Sequence, residues 1–360
     1  MGMKGYKGFR KGLICKDKQY AENTIFEESE ANICVNGMHF CKNPMDVLDY
    51  YPLIDNNGEM CEFSEVEAMD ETLTNDEKKY CTKKLKIGAR LSLVEFIKAS
   101  FDVTYRQIKE EVDNVSEKEN VADNATLAGG DGAKLAGGDN ATLAGGDGAK
   151  LAGGKWATLA GGNGAKLAGG KWATLAGGNW ATLAGGDGAT LAGGNGATLA
   201  GGNWTTLAGG NWATLAGGDN AKLAGGDNAT LAGGDGAKLA GGNGATLAGG
   251  NWTTLAGGDD ATLAGGDNAT LAGGDGAKLA GGDNAKLAGG DDATLAGGKH
   301  TIMISENDSK AKGGIGSLIV MVERNNEGEI VNYKAIQIDG DKYKEDTWYQ
   351  LEDGEIKEVE

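Results

Sequence analysis

Between Ala125 and His300 the apolar and polar positions recur on a fixed period of eight, 22 times, with no insertion or deletion. The unit reads A-[TK]-L-A-G-G-[DNK]-[GNWD], apart from Thr205 and Thr253 at position 1 and His300 at position 8, with Leu at position 3 in every copy. On a strand, positions 1 and 3 face one way and position 2 the other. Ala125 and Leu127 then point inward and Thr126 outward, and the alternation of Thr and Lys at position 2 suits water. The glycines would supply positive φ at the corners and allow tight layering. Asp or Asn at position 7 would bond its own turn backbone. A strict short period implies copies stacked on their neighbours as a β-solenoid.

One octad cannot fold alone. Ordering eight residues costs roughly 8–16 kcal/mol at about 1–2 per residue, and burying one Leu returns about 1.5–3 kcal/mol. Stability must therefore be collective. Two octads per turn would give eleven flat coils, roughly 50 Å long at about 4.7–4.9 Å each. Three per turn would give a triangular rod of seven coils, roughly 35 Å. The recurrence of Lys134, Lys150 and Lys166, of Lys222 and Lys238, and of Trp156 and Trp172 at intervals of 16 favours two. Lys278 and Lys286 depart from that spacing.

The flanks follow other patterns. Residues 1–115 read as a small α+β domain with strands at Thr24-Ile-Phe, Asn32-Ile-Cys-Val, Phe63–Ala68 and Lys84-Leu-Lys-Ile. Asn43-Pro44 suits a helix start, with Asn as N-cap and Pro at the first helical position, giving a short helix to Tyr51. A second helix starts at Ser92, with Glu95 completing a capping box, and its apolar side runs Ile97, Phe101, Tyr105, Ile108, Val112. Residues 116–124 are a charged linker or a degenerate first coil. Residues 301–360 read as an antiparallel β cap with Asn-Glu-Gly and Asp-Gly turns. The fold class is thus mainly β: a solenoid of 22 octapeptides (125–300) between two capping domains, which such arrays need to protect their open edges.

The net charge is -18 over 360 residues, but it is not spread evenly. The array holds 14 Asp and 10 Lys, so its balance is -4, and the flanks carry the remaining -14. An acidic chain with no basic block argues against nucleic acid as a partner. The same thin charge argues against DNA mimicry, which acidic solenoids of pentapeptide repeats achieve with dense negative charge. No apolar run reaches the roughly 20 residues of a membrane span. The opening residues lack the apolar core of a secretory signal, and five cysteines, an odd number, fit reduced thiols. A bacterial cytoplasm is the expected location.

Candidate chemistry is sparse. The array is similar to the calcium-binding nonapeptide repeats of secreted toxins. Its period is eight, however, and Thr or Lys stands where the calcium-ligating Asp would fall, so no calcium is expected. The Thr rank Thr126, Thr142, Thr158, Thr174, Thr190, Thr206 resembles ice-binding solenoids, but Lys interrupts both faces elsewhere and a solvated β-surface is the plainer reading. Trp156, Trp172, Trp180, Trp204, Trp212 and Trp252 share position 8. They are turn-edge packing or a stacking surface for a partner. Cys34, His39 and Cys41 lie close in sequence, but no C-x-x-C pair exists and no metal site or cofactor is expected. His39 and Cys41 alternate on one strand face, which makes them the candidates for a Cys/His nucleophile.

The segments Lys4-Gly-Tyr-Lys-Gly-Phe9, Gly37-Met-His-Phe-Cys-Lys-Asn-Pro-Met-Asp-Val-Leu-Asp-Tyr-Tyr51 and Phe63–Ala68 resemble an uncharacterised domain of phage and bacterial proteins. Its members continue into short Gly/Ala-rich repeats and finish with a segment similar to Lys334–Gly340 and Asp346–Leu351. The Leu-Ala-Gly-Gly octad departs from the Ser-Ala-Ala/Thr-Gly style of repeat associated with that family. The resemblance implies a phage or prophage setting and no reaction. The sequence therefore favours a structural or interaction protein with a protein partner. The alternatives are an enzyme or modifier centred on the first domain, or an anti-host or anti-defence binder.

Overall fold

The computed structural model describes residues 2–33, 36–52, 55, 61–75, 78–91, 95, 96, 99, 103 and 122–359. They fall into two compact units, Met1–Val103 and Thr104–Glu360.

The first unit is built on a seven-stranded antiparallel sheet. Its order is Ile25–Glu27, Lys84–Leu91, Glu62–Ala68, Lys4–Phe9, Met38–Cys41, Lys79–Thr82, Thr72–Thr74. Lys4–Phe9 is the central strand, although two glycines in six residues weaken its β pattern. Each glycine answers a close approach. A methyl group on Gly5 would sit 2.5 Å from the Cys41 carbonyl oxygen, and one on Gly8 would sit 2.5 Å from Tyr51 Cβ. Phe9, Met38, Phe40, Val66, Leu85 and Ile87 form the core.

Helical structure in this unit is slighter than the sequence suggests. Met45–Asp49 is a 3-10 helix, and Pro44 rather than Asn43 stands at its N-cap. The helix expected from Ser92 lies outside the described residues except at Glu95, Phe96, Ala99 and Val103, which are helical. Phe96 is buried and stacks on Phe63 at 4.2 Å. Ile97, Phe101, Tyr105, Ile108 and Val112 lie outside the described residues. The strand expected at Asn32–Val35 is reduced to a bridge between Asn32 and Asn36, with Cys34 and Val35 outside them.

The second unit is the solenoid. Thr126–Ala128 pairs in parallel with Thr142–Ala144, and Lys134–Ala136 with Lys150–Ala152. This register, 16 residues apart, holds along the whole array, so each coil contains two octads. Alternate octads build two long sheets, and the stack has about 12 coils. At about 4.7–4.9 Å per coil it is roughly 55–60 Å long. The position-3 leucines of both sheets and the position-1 alanines make one continuous core. Leu143 through Leu295 are at most 3% exposed, whereas Leu127 in the first coil is 38% exposed.

Two devices at the turns differ from the sequence expectation. Neither glycine of any Gly-Gly pair has positive φ; the left-handed residue is position 8, whether Gly, Asn, Asp, Trp or His. The Gly-Gly pair exists for space. A methyl group on Gly193 would meet Ala197 Cβ at 2.6 Å, and one on Gly194 would meet Asn179 Oδ1 at 2.2 Å and its backbone nitrogen at 2.8 Å. The position-7 side chain does not bond its own turn. Its Oδ1 accepts the backbone N–H of position 7 one coil further on, as Asn195 N–H donates to Asn179 Oδ1 at 2.8 Å and Asp147 N–H to Asp131 Oδ1 at 2.9 Å. Stacked identical turns bring that N–H directly over the previous side chain, which a single octad cannot reveal. The ladder starts at Asp123, so Ala122–Asn124 already belong to the stack. Lys155, Lys171 and Lys299 carry no side-chain oxygen and interrupt it.

The parallel ladder does not stop at His300. Ile302–Ser305, Lys310–Lys312 and Leu318–Arg324 continue it, where the sequence suggested antiparallel pairing. The period of eight survives in disguise. Thr301, Ser309 and Ser317 take position 1, and Met303, Ala311 and Ile319 take position 3, all buried. The hydroxyls are satisfied internally: Thr301 N–H donates to Ser317 Oγ at 3.1 Å, and Ser317 Oγ donates to the Gly298 carbonyl at 3.0 Å. Only beyond this does each sheet end in an antiparallel hairpin. Leu318–Arg324 pairs with Ile330–Gln337, and Trp348–Glu352 pairs with Lys310–Lys312 and then with Glu355–Val359. Asp353 and Gly354, both at positive φ, make the last turn.

The two long sheets differ in exposure. On the first, Thr at position 2 and Ala at position 4 are exposed in coils such as Thr158–Ala160 and Thr190–Ala192. The unbroken rank Thr126 to Thr206 lies here. On the second, the outward Ala184, Ala200, Ala216, Ala232, Ala248 and Ala264 are at most 4% exposed.

Candidate functional site

The first unit contains a cavity of about 630 Å³. One wall is the central strand with Met38–Cys41 beside it, which contributes Tyr6, Lys7, Gly8, His39, Phe40 and Cys41. The hairpin of Ile14–Cys15 and Lys18–Gln19 brings Cys15, Lys16 and Lys18. The 3-10 segment brings Val47, Tyr50 and Tyr51, and the next strand brings Lys79. The sequence singled out His39 and Cys41, and both do line this cavity.

Their electrostatics oppose nucleophilic chemistry. Burial, then the charges of Lys7, Lys79 and Lys16, lowers the His39 pKa to about 4. Burial, then Asp46 and Asp49, raises the Cys41 thiol to about 12. An activated nucleophile needs the reverse, a depressed thiol pKa beside a competent base. Moving the Cys41 proton to His39 is steeply uphill. Among the described residues no three His, Cys, Asp or Glu side chains are placed to hold a metal ion.

Sequence reasoning passed over the group that dominates the cavity. Lys7 is 4% exposed. Its Nζ donates to the His39 carbonyl at 2.8 Å and lies 5.5 Å from the ring centres of Phe9 and Tyr20. No Asp or Glu among the described residues pairs with it. Burial lowers its pKa, and the nearby thiols Cys15, Cys41 and Cys81 oppose that fall. Tyr51 Oη donates to Cys15 Sγ at 2.8 Å, and burial raises the pKa of both Tyr51 and Tyr20. Lys18 pairs with Glu28, and Lys79 lies 4.3 Å from the Tyr50 ring centre. The signal available in the sequence was period 2: in Lys4–Phe9, Lys7 and Phe9 share a face, so a lysine had to enter the core side of the strand.

The three segments Lys4–Phe9, Met38–Cys41 and Glu62–Ala68 are adjacent in one sheet, and this unit is where a comparison with known families gives a result. Residues 3–99 match the family model of a domain of unknown function, DUF7666. No curated protein and no solved structure matches the chain. The match spans the cavity and stops before the solenoid.

The solenoid's candidates lie outside the matched segment. All six tryptophans at position 8 hold φ of 60–62° and are 52–71% exposed. The pairing register places Trp156, Trp172, Trp204 and Trp252 along one edge of the stack, and Trp180 and Trp212 along the other. Trp156 and Trp172 stack at 5.6 Å with planes 11° apart. Trp172 also lies over a glycine of the next coil, as Trp180 does, since a methyl group on Gly188 or Gly196 would come within 2.4 Å of the indole. Trp156 and Trp172 follow Lys155 and Lys171, where the position-7 ladder is interrupted, and Lys171 Nζ pairs with Asp187 Oδ2 at 3.2 Å. No tryptophan follows an Asp. No helix among the described residues is long and apolar enough to cross a membrane.

Proposed function

We propose that the protein is a structural and interaction scaffold whose solenoid presents rows of tryptophan to a protein partner. The observation that carries this reading is the conformation of position 8. A left-handed backbone costs an ordinary residue about 1–2 kcal/mol, and Gly and Asn escape most of that cost. Gly, Asn and Asp fill most copies of this turn. Tryptophan takes the same backbone six times while leaving half or more of its surface in water. Stacking recovers part of the cost at Trp156 and Trp172, where indole meets indole. At Trp180, Trp204, Trp212 and Trp252 most of the indole surface is wet, so folding alone does not account for the choice. Tryptophan leads the residue types that anchor protein interfaces.

The test replaces all six tryptophans with Asn, which suits the left-handed turn. The expected variant keeps the far-UV spectrum and the elongated scattering profile and melts within a few degrees of the parent. It loses a stoichiometric partner that the parent retains from host lysate at the same salt. A partner bound equally by both proteins would refute the reading. So would collapse of the solenoid in the variant, since the indoles would then be structural. The phage or prophage setting and the cytoplasmic location belong to the same proposal. The first rests on the three motif segments. The second is supported by the free thiols Cys15, Cys41, Cys61 and Cys81, which suit a reducing compartment.

A further inference from the structure

Lys7 Nζ is buried beside the His39 carbonyl and the Cys15 side chain, and no carboxylate among the described residues pairs with it. Burial disfavours its charged form, and an anion entering the cavity would favour it. The group lines a cavity of about 630 Å³, within the roughly 300–1,000 Å³ of small-molecule sites. The other charges of the wall are also mainly positive. Lys16, Lys18 and Lys79 line it with Lys7, against Asp17 and Glu28, in a chain whose overall charge is -18. The cations are all lysines. They offer point charges of the kind that bind phosphate. Tyr20, Tyr50, Tyr51 and Phe40 give the remainder of the wall flat apolar surface.

We propose that this cavity binds a phosphate dianion carried on a planar ring, a ligand of nucleoside monophosphate size, with Lys7 as the anchoring cation. The phosphate gives Lys7 an anionic partner, which favours the ammonium form that burial disfavours. The ring lies among the phenols. This assigns a ligand class to the DUF7666 unit and is independent of the scaffold role of the solenoid.

The experiment titrates the full chain with AMP, GMP, CMP and UMP by calorimetry, with adenosine, guanosine and inorganic phosphate as controls. At least one nucleotide saturates at one per chain, binds about tenfold or more tighter than its nucleoside and than phosphate, and weakens as salt rises. In Lys7→Met, which keeps the stem and removes the charge, affinity for that nucleotide falls about tenfold or more. The ligand-free variant melts no lower than the parent, because a costly buried amine has been replaced by an apolar side chain of similar length. Should Lys7→Met not fold, Lys79→Ala at the same wall reads the same claim through an affinity loss of several-fold. The proposal is overturned if none of the four nucleotides saturates at millimolar concentration on natively folded protein. It is also overturned if the nucleoside binds as well as its nucleotide, if inorganic phosphate alone binds as tightly, or if affinity survives loss of the lysine charge.

Discussion

Gly194→Ala and Gly164→Ala exchange the same residues in the same solenoid, yet the structure assigns them different costs. At Gly164 φ is +63°, and a methyl group would meet nothing within 4 Å. The cost there is conformational, about 1–2 kcal/mol for a left-handed alanine, offset by about 0.4–1 kcal/mol through the less flexible unfolded chain. The net loss is about 0–1.6 kcal/mol. At Gly194 the backbone is unstrained, but the methyl group would sit 2.2 Å from Asn179 Oδ1 and 2.8 Å from its nitrogen. One neighbour is backbone, so the coils must part. Overpacking of this kind costs about 1–3 kcal/mol. The shift also breaks the Asn195 N–H to Asn179 Oδ1 hydrogen bond of 2.8 Å, for about 1 kcal/mol more. Together the loss is about 2–4 kcal/mol. Urea unfolding followed by far-UV circular dichroism measures both, and amide exchange shows where each acts. Protection should drop in the coils around Gly194 and stay nearly unchanged around Gly164. If Gly164→Ala proves the more damaging, the Gly-Gly pair does not serve close approach and the layering argument fails.

Other outcomes follow from the same geometry. Leu215→Ala should cost roughly 2–5 kcal/mol, as buried Leu truncations do, while Leu127→Ala in the half-open first coil should cost about half of that or less; equal losses in urea would contradict a core that tightens inward from the first coil. The Cys41 thiol, held at about 12, should resist iodoacetamide in native protein at pH 8 and react promptly once unfolded; fast native alkylation would revive the nucleophile reading. His39 titrates near 4 in the folded chain against an ordinary value of 6.5, so the unfolded chain binds more protons between these limits. Its contribution to stability is therefore full above about pH 6.5 and declines as pH falls toward 4. His39→Gln should flatten that part of the pH–stability curve, and an unchanged slope would refute the assignment.

Much of the solenoid is written in the octad itself. Position 3 never varies from Leu, so an inward rank of Leu follows from strand alternation alone, and the Lys and Trp spacing of 16 already points to two octads per coil. What the local sequence cannot carry is what each turn meets one coil away. The partner of Asn179 Oδ1 is Asn195 N–H, and the need for Gly194 comes from Asn179. Both arise only when coils lie about 4.8 Å apart. The hidden continuation past His300 shows the same limit from the other side: Ser309 and Ser317 look polar and exposed by type, and only stacking pairs their hydroxyls inside. In the first unit the sequence offered His39 and Cys41 by residue type, and the fold does bring them to one cavity. It also surrounds them with Lys7, Lys16 and Lys79 and removes water, and those two effects set their protonation. Lys7 has the residue type of a surface cation, and only its shared strand face with Phe9 signals otherwise in the sequence. Antiparallel pairing of Lys4–Phe9 between two other strands places it in the core, because burial is decided by which strands flank a residue and not by its own chemistry.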